Sequence, residues 1–333
     1  MTMNAFEWMS PRSLNEALQA LRAPAGDPDE APQALAGGQD LLTVLKDGLA
    51  RPNRVVNLKT LPGMNQLKLR PDGLHIGALV KLHVLEEDAD TRRNFPGLAE
   101  AAGSIASQQI RNLATVGGNL CQRPRCWYFR SPDIFCLKKG GSECYAATGE
   151  NKYNAIFGGG PSFIVHPSDL APMLVALGAE VALVGSDGPR SMPLEKFFTL
   201  PTTENVRREN VLLPGELVTS VRVPSSKLAA RSTYLKFKER ASLDFALVST
   251  AAAVELGALG EIRTARLVLG GVAPVPWRVP EAESFLAGRR LTPEVAADAA
   301  RIALQGAKPL AKNGFKIPLA QALVRRALTK VAS

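Results

Sequence analysis

The chain has 333 residues, 46% of them apolar, with a formal net charge of +9. That length calls for two or three separate cores, and no run approaches the roughly eighteen apolar residues that read as a membrane helix. The excess base is dispersed in short pairs such as Arg207-Arg208, Arg289-Arg290 and Arg325-Arg326, without the aromatic interleaving that stacks bases, so nucleic acid is not expected. A docking surface for an acidic redox protein or a partner subunit suits this charge better.

In chain order, Ser13-Leu14-Asn15-Glu16 is a capping box, and Leu14, Leu18 and Leu21 mark one helical face behind it. The short apolar run Ala34-Leu35-Ala36 leads into Gly37-Gly38-Gln39-Asp40. Leu41, Leu42, Val44, Leu45 and Leu49 then predict a helix ending near Gly48 and Pro52. Strands are expected at 54–58 and 74–79, and a helix over about 97–105. His166-Pro167-Ser168-Asp169-Leu170 opens a helix, followed by a strand near 180–184. The last third changes rhythm, with strands at 217–223, 233–238, 246–256 and 262–269, then helices around 280–286, 293–305 and 318–331. Strands followed by helices predict an α+β domain with helices on one face of an antiparallel sheet. The polar stretch Pro224-Ser225-Ser226-Lys227 is the expected linker, dividing the chain into residues 1–226 and 227–333.

All four cysteines, Cys121, Cys126, Cys136 and Cys144, fall within twenty-four residues. The N-terminus MTMNAFEWMSPRS has no apolar export signal, so a reducing cytoplasmic setting is expected unless a signal-bearing partner carries the folded chain to the periplasm. There, four clustered thiols read as metal ligands. The spacing C-x4-C-x9-C-x7-C admits zinc or an iron–sulfur cluster. The surroundings favour the cluster: Trp127, Tyr128, Phe129 and Phe135 can exclude water, and Arg123, Arg125, Arg130, Lys138 and Lys139 can offset thiolate charge.

The two loops Ala36–Asp40 and Thr115-Val116-Gly117-Gly118-Asn119 can turn backbone N–H groups toward an anion. Neither is a GxGxxG or P-loop sequence. His75 and His83 carry no expected chemistry, and no Ser/His/Asp or paired-carboxylate constellation supports hydrolysis.

Three of these segments, Ala36-Gly37-Gly38-Gln39-Asp40-Leu41, Arg111-Asn112-Leu113-Ala114-Thr115-Val116-Gly117-Gly118-Asn119-Leu120 and His166-Pro167-Ser168-Asp169-Leu170, resemble the FAD-binding motifs of the molybdenum hydroxylase family. Tyr234-Leu235-Lys236, Arg240 to Ala246 and Gly270-Gly271-Val272-Ala273-Pro274 resemble the C-terminal domain of the same flavin subunits. The resemblance spans nearly the whole chain in order. It implies an α+β fold: a p-cresol methylhydroxylase-type (vanillyl-alcohol oxidase-like) FAD-binding domain in two subdomains, about 1–60 and 61–226, then a CO dehydrogenase flavoprotein C-terminal domain.

The family runs almost directly from the Gly-Gly-Asn loop to Ser-Asp-Leu, whereas about forty residues intervene here, over about 120–163, and hold every cysteine. This insertion resembles the one that carries a 4Fe–4S cluster in the flavin subunits of 4-hydroxybenzoyl-CoA reductase and related periplasmic aldehyde oxidoreductases. The implied cofactor contacts are Leu35, Ala36, Gly37, Gly38, Gln39, Asp40, Leu41, Ala114, Thr115, Gly118, Asn119, Asp169, Val218 and Lys236. Of these, Gln39 stands where the family often has Thr. The implied partners are a molybdopterin-binding large subunit that oxidises the substrate, a small subunit with two 2Fe–2S clusters, and an external electron acceptor. Two other readings stay open on the residues: a lone FAD oxidase of the same FAD-binding fold, and a basic zinc protein that docks nucleic acid.

Overall fold

The computed structural model describes residues 3–22 and 29–332. A small parallel sheet comes first, β1 (Glu7–Met9), β2 (Gln33–Leu35) and β3 (Arg54–Asn57), with β3 in the centre. The capping-box helix, Leu14–Ala20, starts where expected, with the Ser13 hydroxyl accepting from the Glu16 N–H. The Glu16 carboxylate reaches back to the Arg12 N–H rather than to that of Ser13. A helix at Leu41–Lys46 follows β2 directly, so residues 36–40 form the turn between a strand and a helix.

The second sheet is antiparallel: β4 (Leu67–Arg70), β5 (Gly73–Gly77), β6 (Glu180–Gly185), β7 (Gly188–Pro193) and β8 (Leu217–Pro224), in the order β4-β5-β8-β6-β7. β6 shows period-2 burial, with Val181 and Leu183 facing the core. Its strands come from both sides of the cysteine segment, which therefore leaves from one body and returns to it.

The third sheet, β9 (Ser232–Phe237), β10 (Val248–Leu256), β11 (Ile262–Gly270) and β12 (Trp277–Arg278), is antiparallel in the order β12-β11-β10-β9. The helices of the last third pack together on one face, as expected, and the other face is covered from elsewhere in the chain. The helix Lys316–Ala332 covers one side, while Pro96–Gly103 and Leu170–Ala176 from the first part of the chain pack on the other. The physical reason lies in β10, which is buried from Val248 to Val254 without alternation and needs cover on both faces. The polar stretch after β8 is also not all linker. Pro224 ends the strand, and Ser226 caps a short helix, Lys227–Ala230.

Lys316, at the start of the last helix, is completely buried, and its ammonium donates to the carbonyls of Tyr153 (2.9 Å), Asn154 (2.9 Å) and Gly271 (2.7 Å). Burial alone pulls it down from 10.5 to about 7. A base depressed in the fold charges more readily when unfolded, so stability rises with pH between about 7 and 10.5. We expect urea denaturation to show a gain from pH 7 to pH 9, with a slope of up to ~1.4 kcal/mol per pH unit from this group. The same series on Lys316→Met should lack that increment; an identical slope in both chains would refute the assignment.

Candidate functional site

The predicted site residues meet through a short relay of contacts. Gly37 lies against the second loop so closely that a Cβ would stand 2.3 Å from the Leu113 carbonyl oxygen and 2.8 Å from the Ala114 Cα. Gly38 turns at φ +77°, and its neighbours are Leu35 and Leu42. Among the described residues, the N–H groups of Gly37, Gly38, Gln39 and Asp40 donate no hydrogen bond, which is the property an anion nest needs. Gln39 itself is exposed, and Leu41 begins the following helix.

The second loop behaves differently. Four of its five N–H groups are already used: Val116 donates to Val80, Gly117 to Ala78, Gly118 to the Thr115 hydroxyl and Asn119 to the Thr115 carbonyl. Gly117 packs against Ala78, whereas a Cβ on exposed Gly118 would meet only the Thr115 hydroxyl oxygen at 3.0 Å. The second loop therefore differs from the first in how many of its donors are free. This loop offers an open surface at Gly118 and few free donors. Val218 is buried in β8 in the same core as Val116, and its neighbour Thr219 accepts the Ala78 N–H.

Asn119 continues the relay by accepting from the Ser168 hydroxyl, and Ser168 in turn caps the helix Leu170–Ala176 at Ala171 (3.0 Å). Asp169 is buried and accepts from the Tyr234 hydroxyl and the Lys236 ammonium, both at 2.7 Å. The side chains of the ion pair are 4% and 6% exposed, so Lys236 is not a solvated strand residue. Burial, then the Asp169 charge, raise Tyr234 well above the ordinary tyrosine value. Tyr234 was missed from sequence although it lies two residues from Lys236 on the same strand face, a spacing that could have found it.

His166 is also buried and is held down to about 4, chiefly by burial, so it is neutral near pH 7. A cavity of about 350 Å³ opens beside these residues. His166, Ser168 and Asp169 form one wall, Arg125, Cys126 and Trp127 another, and Phe245 to Leu247 a third. The glycine loops lie outside it. It has room for a ring system, not for a whole dinucleotide.

The cysteine segment is tied down by charge. Lys138 is buried, pairs with Glu209 (2.7 Å) and donates to the Val206 and Arg208 carbonyls, and Arg123 takes the other Glu209 oxygen at 3.0 Å. Glu209 is a buried acid with no signal in the sequence. Arg125 and Arg130 pair with Asp40, and Lys139 donates to Ser131. The basic residues expected to offset cluster charge thus already have partners. Of the expected shielding aromatics, Phe129 is buried while Trp127 and Phe135 are 59% and 66% exposed.

Residues 4–226 match the family model described as the FAD binding domain in molybdopterin dehydrogenase, and residues 232–331 match the CO dehydrogenase flavoprotein C-terminal domain. The chain belongs to the FAD-binding medium subunits of the molybdenum hydroxylases. It is 35% identical to the aldehyde oxidoreductase FAD-binding subunit PaoB of Escherichia coli K12, covering 96% of each chain. It is 28% identical to the glyceraldehyde dehydrogenase medium chain of Sulfolobus acidocaldarius over 98% of each. Among solved structures, quinoline 2-oxidoreductase from Pseudomonas putida 86 is similar, with a TM-score of 0.77 at 25% identity over 100% of this chain and 98% of that one. The α+β fold implied by the resemblance is thereby shown, and neither the lone oxidase nor the zinc protein fits a molybdenum hydroxylase medium subunit.

For FAD the residues fit: free N–H groups at Gly37–Asp40, an open face at Gly118 and a ring-sized cavity past Asp169. For an iron–sulfur cluster the four thiol donors are present in one segment. All four thiols are free, and among the described residues no three His, Cys, Asp or Glu side chains are gathered to hold a metal ion. At Cys121, burial and then Glu209 push the metal-free thiol up to about 12. Burial raises the Cys126 thiol above its ordinary value, opposed by the hydrogen bonds its sulfur accepts from the N–H of Phe129, the Asn154 amide at 3.8 Å and the N–H of Tyr128.

Proposed function

We propose that this flavin subunit transfers electrons within a molybdenum-dependent oxidoreductase of the aldehyde-oxidising type. It takes them from a 2Fe–2S subunit served by a molybdopterin subunit and delivers them to an external acceptor. A 4Fe–4S cluster on Cys121, Cys126, Cys136 and Cys144 is part of this reading. Bound FAD supplies a two-electron acceptor that also passes single electrons. The chain's own part is to hold the pyrophosphate on the N–H groups of Gly37 to Asp40. It also seats the ring beside Asp169 and Lys236, where a buried cation stabilises negative charge. The observation that carries the proposal is that Asp169, from a flavin motif, and Cys126, from the cysteine segment, line one cavity. Substrate aldehyde is oxidised on a partner; both relatives named above are aldehyde enzymes.

Four thiols round a cube of iron and sulfide stand further apart than four round one ion, so an absent single-ion cage does not oppose a cluster. The test is iron content and low-temperature EPR of reduced, anaerobically purified complex, with flavin content alongside. Wild type should carry a 4Fe–4S signal beyond the 2Fe–2S centres of the small subunit, and Cys136→Ala should lose it while keeping most of its FAD. Stoichiometric zinc in place of iron, or an unaltered signal in Cys136→Ala, would overturn the ligand set. Aldehyde turnover by the purified single chain would overturn the subunit role.

A further inference from the structure

Asp40 belongs to the first flavin loop, and its position suggested a cofactor contact. The structure spends both of its oxygens elsewhere. Oδ2 accepts from the Arg123 N–H at 2.6 Å, and Oδ1 meets the Arg130 guanidinium at 2.7 Å and that of Arg125 at 3.0 Å. Although Asp40 precedes the helix Leu41–Lys46, its side chain makes no capping bond to it. The carboxylate is turned away from its own helix, across more than eighty residues of sequence, onto the segment that holds Cys121 and Cys126.

The arginines carry the contact further. Arg130 also binds the carbonyls of Pro124 and Arg123, closing the segment on itself. Arg125 lies over the Phe245 ring at 4.9 Å, and both line the cavity next to Cys126. One carboxylate therefore stands between two guanidinium groups, those of Arg125 and Arg130, that would otherwise repel one another, and it also holds a backbone N–H of the segment. Its side chain is only 18% exposed, where solvent screens such charge-assisted bonds weakly.

We propose that Asp40 is a positioning residue that locks the cysteine segment to the flavin loop, so that seating the cofactor at Gly37–Gln39 also fixes the Arg125–Cys126 wall of the cavity. The inference rests on the flavin reading of the first loop and not on the presence of a cluster. FAD binding then tightens residues 121–130 although its phosphates touch none of them, and the spacing between the two regions is set by one side chain.

The test is hydrogen exchange on the assembled complex, with and without FAD, together with FAD affinity by fluorescence quenching. In wild type, FAD should slow exchange at 37–41 and at 121–130, the Arg123 amide reporting directly. In Asp40→Asn, exchange at 121–130 should rise by about tenfold or more with FAD bound, the scale of losing charge-assisted hydrogen bonds. Asp40→Glu, which keeps the charge, should restore much of the protection. If Asp40→Asn disturbs assembly, Arg130→Gln removes the same link from the other end, and the double variant should be no worse than the more affected single one. Unchanged exchange at 121–130 in both single variants would overturn the proposal. So would loss of FAD affinity with 121–130 undisturbed, since Asp40 would then be a cofactor ligand. If wild type binds no FAD, the flavin reading fails instead. If 121–130 loosens in a complex without iron at the cysteines, only the cluster reading fails.

Discussion

Gly118→Val should bind FAD at least about tenfold more weakly, a loss of 1.4 kcal/mol or more, while the FAD-free chain keeps its stability. Gly118 is exposed within the short helix Val116–Leu120, and a Cβ there would touch nothing but the Thr115 hydroxyl oxygen. Valine is no worse than glycine in a helix, so the apo chain should hold within about 0.5 kcal/mol. The added methyls then fill space that only a ligand would occupy. Gly37→Val is the contrast. Its side chain would drive into the Leu113 carbonyl, so it should cost the apo chain about 1–3 kcal/mol as well as the cofactor. Fluorescence titration gives the affinity and urea denaturation the stability. Full FAD affinity in Gly118→Val would show that this face of the helix does not meet the cofactor.

Asp169→Ala should be the most damaging single change at the site, costing about 3–5 kcal/mol, because it leaves the Lys236 ammonium buried without its partner. The pair sits at 2.7 Å with almost no exposure, and the Tyr234 hydroxyl loses its acceptor at the same time. Tyr234→Phe, which removes one hydrogen bond and keeps the ion pair, should cost only about 1–2 kcal/mol. The double variant Asp169→Ala/Lys236→Met should recover much of the loss by removing the stranded charge. The measurement is the urea midpoint of the apo chain. If Asp169→Ala keeps its stability and loses only FAD, the carboxylate serves the cofactor and not the pair.

Local signals were legible wherever a residue acts on its neighbours. The Ser13 cap, the helix after Gly37–Asp40, the alternation in β6 and the helix after Asp169 all follow from contacts a few residues long. The short edge strands β1, β4, β7 and β12 left no such pattern, since they pair on one side only and carry little buried surface. β10 read as a strand, but its unbroken apolar run did not say that helices from both parts of the chain would cover it.

The sequence by itself determined the order of the motifs, the family, the α+β class and the crowding of four thiols into one segment, because these depend on residue identity and spacing. Only the tertiary structure decided how the two glycine loops divide their work. A free N–H and a spent one look alike in sequence, and the difference arises from Ala78 and Val80, distant residues whose carbonyls take the donors of the second loop. The fold likewise sent Asp40 to Arg123, Arg125 and Arg130, and buried Glu209 beneath Lys138 and Arg123. A charged side chain pairs with whatever opposite charge the folded chain brings within a few ångströms, and that distance bears no relation to separation along the sequence.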